Sequence, residues 1–516
     1  MKRRSLLGLL LALPPCGSTE LFSRRTGSRR DRGRSGIKHQ TSIPILPFTL
    51  SAALSTTGAG RWRTNLGPWH QGALVTEPLA RAGSIWQRRI WIDTEPSSSR
   101  IKIASRSRPE GSPTGWGSWS VDTAAASLND GSVRNDAHLS AVMGVDKYGV
   151  PHVAWSAHGD SRPWHYHCGN SAGDTHVDSN GRTSGAFGGF NVPDARGANY
   201  NVFGGNFSYP KFFNTPDGEL YFTGRIGAAG ANAQQQFWHW ATSAEGVGAW
   251  VQVGGDIIDW SGGAEDESPY MQTVAVNASG RIGVSWTWAR RSSTKYYHDI
   301  YYMYSDDGGA NWKDVAGGAV TLPAGNDAAL LALSVPENNG LAVHHGLALR
   351  PDGTPVIACD YAGSPPATDL YVVTRVDGAW VRRTVGRHSA SWNFIDADGG
   401  LDPNAPNSEY AQVGRAGVMV TATDTHVYYR SNYERGSAGL PALMVRSCSN
   451  ADCLTWAGPY VLVDMPLGDA QPRHDINAWD FYGQASFPIQ LLDESNQFGN
   501  ALSTSVYVAD ANLPTQ

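Results

Sequence analysis

The chain carries little charge for its length and few cysteines. Asp, Glu, Lys and Arg make up 17% of its 516 residues, and the formal net charge is −5. So small a balance gives no footing for a nucleic-acid partner, whose phosphates call for a strongly basic surface. No Cys-x-x-Cys pair occurs among the five cysteines, so a cysteine zinc site is not expected. Beyond the N-terminus no apolar run is long enough to cross a bilayer as a helix. Helical periodicity is nearly absent too. Alternation dominates instead, as in PHVAWSAH (151–158), ELYFTGR (219–225), RIGVSWTW (281–288) and THVYYRS (425–431). That is the period of strands with one buried face, and it points to an all-β protein. What is abundant is glycine (59 residues), tryptophan (19) and tyrosine (20), a globular, aromatic-rich composition.

The first residues, MKRRSLLGLLLALPPCGS (1–18), join a basic start to a short apolar run. They read as a signal peptide for export, and Arg3-Arg4 followed by Ser-Leu-Leu also fits a twin-arginine signal. The prolines before Cys16 fit a lipoprotein signal poorly. Residues 19–44 are rich in Ser, Gly and Arg and read as a disordered basic linker. A secreted or periplasmic location follows, and with it an environment that permits disulfides. Cys448 and Cys453 bracket SNAD and are expected to staple one hairpin; whether Cys168 pairs with Cys359 is left open by the sequence.

One phrase recurs along the chain. A β-rich run leads into a turn of the Asp-Gly or Asn-Gly type, and a second β-rich run follows. The turns are DKYG (146–149), TPDG (215–218), NASG (277–280) and RPDG (350–353). Farther on comes a Ser…Gly…Trp phrase, best seen in YYMYSDDGGANW (301–312), which matches the Asp-box pattern; weaker echoes lie at 241–250 and 446–456. Units of about 60–70 residues with three or four strands each imply small sheets repeated around an axis. The expectation is a single β-propeller over residues 45–512, with seven blades and Asp-box hairpins. A large β-sandwich is the competing architecture.

Residues equidistant from a hairpin turn oppose each other across the strands, about 5 Å apart at Cβ. His138 and His158 are symmetric about Tyr148, and Tyr209 and Arg225 are symmetric about Asp217. Tyr270 lies at a similar distance before the NASG turn, with Arg290 and Arg291 just past the equivalent point on the return strand. His344 and His345 precede RPDG at a slightly shorter distance. In a propeller such open hairpin ends converge on one face, so these side chains should form one polar cluster. His152 opposes Gly144 near its turn and is assigned to structure. The His138/His158 pair could bind zinc, but no third ligand is evident.

These residues resemble the BNR-4 repeat family, and within it the seven-bladed propeller polysaccharide lyases of the ulvan lyase and rhamnosyl-glucuronate lyase type. The likeness rests on DAHLSAVMGVDKYGVPHVAWSAHGD (136–160), FSYPKFFNTPDGELYFTGRIGAAG (207–230) and VSWTWARR…YYHDIYYMYSDDGGANW (284–312). It is good over roughly 135–320 and elsewhere extends only to repeat character. It implies catalytic roles for His138, His158, Tyr209 and Arg225, and substrate binding by Tyr270, Arg290, Arg291 and His345. One inserted residue in WTWARR leaves Arg290 and Arg291 as alternatives. Tyr297 stands where the family has an asparagine before His-Asp, which weakens a role carried over to His298. No cofactor is required by this reading. Some family members hold structural calcium or zinc, and no matching ligand set is found here. The expected partner is an acidic polysaccharide, handled by a monomer away from any membrane.

The implied chemistry is β-elimination. The C5 proton of a uronate is removed and the O4 substituent leaves, which requires the C6 carboxylate to be neutralised by a fixed cation such as Arg225. A tyrosine can take the proton and return one to O4 when both lie on one ring face, and a phenol beside a guanidinium ionises more readily. Tyr209 is that candidate, with His138 as a second base where the faces differ. A glycoside hydrolase is one rival and needs two carboxylates across the bond; Asp136, Asp160, Glu265, Asp266 and Glu267 are nearby but read as loop residues. A carbohydrate-binding propeller without catalysis is the other.

Overall fold

The four marked turns close antiparallel hairpins in the same way. Gly149, Gly218, Gly280 and Gly353 each donate their N–H to the carbonyl three residues earlier, at 2.8–2.9 Å. All four have φ between +79° and +87°, a conformation that costs glycine least. In the first turn Asp146 Oδ1 also accepts from the N–H of Tyr148 and of Val150, at 2.9 Å each.

The structure, a computed structural model, describes residues 43–60, 72–95, 98–112, 115–121, 127–128, 141–155, 165–168, 176–177, 183–184, 207–226, 233–242, 248–259, 267–290, 296–337, 339, 341, 345–364, 367–389, 416–431, 442–449, 452–465, 467, 473–490 and 502–514. Residues 43–516 form one compact unit. Residues 1–42, read above as a signal and most of a linker, lie outside the described residues.

Four sheets have four strands each, added in chain order and antiparallel throughout. They begin at Phe207–Asn214, Glu267–Val276, Gly346–Leu349 and Gly417–Val420. A three-stranded sheet begins at Ala141–Val145, and a nine-stranded sheet joins strands from both ends of the unit. The first strand Ala141–Val145 lies against Leu74–Thr76 and Phe207–Asn214, and Gly346–Leu349 lies against Glu267–Val276 and Gly417–Val420, an arrangement of sheets as blades around an axis. Among the described residues this is a β-propeller of six blades rather than the expected seven. Gly58 pairs with Asp93, and that pairing joins the strands Ser55–Gly60 and Leu502–Ala511 to Ser84–Glu95 and Ser98–Pro109 in one sheet. The same sheet closes the ring, because Phe48–Leu50 pairs with the strand Leu502–Ala511.

The cores lie between blades. Trp286, Trp288, Tyr301, Met303 and Trp312 pack with Phe237 and Ile257 of the preceding sheet. Trp240, Trp286 and Trp288 are buried, so much of the aromatic excess is packing. In the 305–312 turn, Ser305 Oγ accepts from Gly309 N at 2.8 Å, Asp307 Oδ1 accepts from Asn311 N at 2.9 Å, and the Trp312 indole donates to Gly309 O at 2.9 Å. The two weaker echoes each contain residues outside the described set. Cys359 is a buried thiol. Contrary to expectation, Cys448 and Cys453 are also buried thiols, not joined by a disulfide. Arg350 donates to the Cys453 sulfur at 3.7 Å and to Thr425 Oγ1 at 2.8 Å.

A short helix, Ile476–Tyr482, closes one end of the axis. It packs on the first strands Leu74–Thr76 and Phe207–Asn214. Asp475 caps it, accepting from Ala478 N at 3.0 Å, and also accepts from Thr76 Oγ1 at 2.7 Å and Gln87 Nε2 at 2.9 Å. Asn477 donates to Thr76 O and to Asn214 Oδ1. Asn214 stands at the turn end of its strand, so the opposite, open end is where a site can form.

Candidate active site

Tyr209 and Arg225 meet at that open end, though not by regular pairing. From Asn214 back to Lys211 the two strands follow the expected register, Lys211 facing Thr223. A bulge then intervenes, and Arg225 faces Ser208 instead of Tyr209. Tyr209 takes a left-handed backbone, φ +57°, just before Pro210. For a bulky residue that conformation costs roughly 1–2 kcal/mol, and a following proline restricts it further. What the strain achieves is visible in the rings. The Arg225 guanidinium carbon lies 4.7 Å from the Tyr209 ring centroid and 4.5 Å from that of Tyr270. Tyr270 comes from the next blade, its ring centroid 5.8 Å from that of Tyr209, and Tyr297 packs edge-on to it at 5.4 Å. The cation is thus held between two phenols from two blades.

Arg225 is 1% exposed, and among the described residues none of its three guanidinium nitrogens has an aligned hydrogen-bond acceptor. Burial works against its charge, but Tyr270 and Tyr209 outweigh it and hold the pKa above the usual arginine value. The Tyr270 hydroxyl is near enough to favour the cation without the alignment of a hydrogen bond. Lys211 lies beside this group, also 1% exposed, and donates to Tyr209 O at 3.2 Å. Burial, then Arg473 and Arg225, push its pKa down to about 7. Arg473, from the segment leading into the axial helix, donates to His345 O at 3.0 Å. This is a buried, cationic, aromatic site.

The BNR repeat-containing family matches the chain over residues 91–388, more than half its length. The chain belongs to this family. Solved structures of the same architecture include an ulvan lyase of polysaccharide lyase family 25 (15% identity, 89% of this chain and 95% of that one, TM-score 0.54). A second structure of that description, bound to -[GlcA(1-4)Rha3S]-, matches at 14% identity over 89% and 95% of the two chains, TM-score 0.53. The polysaccharide lyase Uly1 matches at 12% identity over 92% of this chain and all of that one, TM-score 0.57. At such identities the likeness is one of fold. No functionally curated sequence matches the chain.

Within this BNR repeat protein the other expected residues are distributed as follows. His138, His158 and Arg291 lie outside the described residues. The strand pair that leads to the two histidines keeps the expected register as far as Ala141 facing Trp155, and His152 faces Gly144. His152 is buried, its ring centroid 4.6 Å from that of Trp240, in keeping with a packing role. Tyr270 faces Thr287, whereas Arg290 faces Glu267, three pairs farther out. Three pairs are about 10 Å along a strand, so Arg290 does not sit beside Tyr270 at its own strand position. The His345 ring is fully buried in the wall, its Nε2 2.8 Å from Ser285 Oγ. Burial, with Arg473 close by, pushes the pKa of His345 down to about 3 and keeps it neutral.

Glu267 is no loop residue. It opens its strand, 2% exposed, and both its carboxylate oxygens lie 3.2 Å from His298 Nε2. His298 Nδ1 is 3.1 Å from Asp299 Oδ2. Burial opposes charge on His298, but the two carboxylates raise its pKa to about 9. Both acids are therefore engaged with one imidazolium and are not a free hydrolytic pair. Among the described residues no group of three or more His, Cys, Asp or Glu side chains is placed to hold a metal ion. Sequence reasoning missed Lys211, Tyr297 and Arg473. Lys211 follows Tyr209-Pro210 directly and was legible as a charge on an otherwise apolar strand; Arg473 carried no signal.

Proposed function

We propose that this chain is a polysaccharide lyase that cuts rhamnosyl-(1→4)-uronate linkages by β-elimination. The observation that carries the reading is the buried Arg225 guanidinium, lacking an aligned acceptor among the described residues and set between Tyr209 and Tyr270. A uronate carboxylate docked there satisfies the guanidinium and loses the negative charge that keeps its C5 proton weakly acidic. Tyr209 then takes the C5 proton and delivers a proton to the leaving O4, where both lie on one ring face. His138 and His158 act from the first hairpin, one as a further donor to the carboxylate and one as the base when the faces differ. Arg290 or Arg291 holds the flanking sugar, and His345 braces the wall. No metal or cofactor enters the scheme.

The shared fold of ulvan lyases, one of them bound to -[GlcA(1-4)Rha3S]-, supports this substrate class. The N-terminal signal would export the enzyme to meet a polymer, as a monomer working outside the cytoplasm. The test is direct. Incubation with ulvan and with gum arabic should generate the ultraviolet absorbance of an unsaturated uronate on one of them. A folded protein silent on every uronate polymer would remove the reading.

A further inference from the structure

Lys211 is an odd residue to find where it is. It is buried against an apolar strand, its charged neighbours Arg473 and Arg225 are both cations, and its one described hydrogen bond goes to a backbone carbonyl. That carbonyl belongs to Tyr209, the residue with the strained backbone, and Lys211 is where regular pairing resumes after the bulge. A side chain that spans the bulge and ties down its strained carbonyl fixes the direction in which the phenol leaves the strand. Buried lysines are costly unless something offsets the charge.

We infer that Lys211 is a positioning residue that clamps Tyr209 on its bulge, and that it takes up a proton when an anion docks on Arg225. The inference rests on the uronate reading of the site. The groups facing Lys211 are Tyr209 and Arg225 from its own sheet and Arg473 from the axial segment; Arg473 in turn is bracketed by Tyr428, His345 and Asp360. With no anion docked, Lys211 faces Arg225 and Arg473, of which only Arg473 has a carboxylate, Asp360, beside it, and the lysine is the one able to shed its proton. A carboxylate on Arg225 supplies the missing negative charge, and the ammonium form of Lys211 becomes the favoured one. Its pKa near neutrality in the free protein agrees with this exchange.

Calorimetric titration with sodium glucuronate at pH 8, in triethanolamine and in Tris, tests the proposal, with rhamnose as the uncharged control. The two buffers differ in ionisation enthalpy and neither is an anion. The heat of glucuronate binding should depend on the buffer and report net uptake approaching one proton; rhamnose should show none. Lys211→Met should abolish the uptake and weaken glucuronate about tenfold. Lys211→Arg, permanently charged and still able to reach the Tyr209 carbonyl, should bind glucuronate without uptake. Binding without uptake in the parent protein, or equal uptake in Lys211→Met, overturns the inference. Should glucuronate not bind at all, the uronate reading is what fails, and Lys211 is then decided in the unliganded protein. A buried lysine with a depressed pKa makes the folded state less stable at low pH, and stability recovers as pH rises from about 7 towards 10. The Tm difference between Lys211→Met and the parent should therefore shift in favour of the parent across that window, and a difference independent of pH overturns the proposal.

Discussion

Asn214 and Tyr209 stand at the two ends of one strand, and their surroundings differ in kind. Around Asn214 polar groups are matched. Its side chain donates to Val145 O at 2.8 Å and accepts from Asn477 at 2.9 Å, while Asp475 collects Thr76, Gln87 and Ala478. Arg106 completes that network through Gln87 Oε1 at 2.8 Å and Asp510 Oδ1 at 2.7 Å. Around Tyr209 the balance is left open: Arg225 lacks aligned acceptors among the described residues, and Lys211 has only a carbonyl. Buried polar groups are normally satisfied, and the unmatched guanidinium at the open end is what the proposed docking of a carboxylate would satisfy.

That contrast can be broken or sharpened by substitution. The largest effect is expected at Arg225. Arg225→Met should lower kcat/KM on the responsive polymer at least about a thousandfold while leaving Tm unchanged or higher, because it removes an unmatched buried charge. Next, Tyr209→Phe should cut kcat by about 10²–10⁴-fold with oligosaccharide affinity retained, measured by calorimetry; unchanged turnover would take the phenol out of the chemistry. At the closed end the signs reverse. Asp475→Ala should destabilise the fold by about 3 kcal/mol in urea unfolding and leave kcat of the folded fraction intact. The smallest effect belongs to His298. Its raised pKa means that the Glu267 and Asp299 contacts contribute fully below about pH 6.5, its unfolded value, and are lost as pH rises through about 9. His298→Gln should flatten that part of the pH–stability curve, by about 1–2 kcal/mol.

Much of this was legible beforehand, and for identifiable reasons. Alternation marks strands because side chains leave a strand on opposite faces in turn, and glycine marks turns because φ > 0 costs it least. The His152–Gly144 pairing came straight from counting outward from a turn. Counting failed where the ladder is irregular. It set Arg225 opposite Tyr209, whereas the bulge moves the pairing by one, and the contact survives because a left-handed tyrosine turns its ring back over the arginine. It also put Glu267 in a loop, when a histidine on the third strand draws it into the wall.

Gly417 shows the same limit. Its φ is unremarkable, yet a Cβ there would lie 2.0 Å from the Tyr428 ring, and the Tyr428 hydroxyl is 2.9 Å from His474 Nδ1, next to Arg473. The sequence by itself determined the all-β character and the four hairpins, because each depends on residues within about twenty positions of one another. Only the tertiary structure decided that six sheets close the ring, that Tyr270 arrives from a second blade, and that Arg473 reaches the same cations from near the far end of the chain. Those contacts follow from how sheets pack around an axis, and no local period encodes which distant side chains that packing brings together.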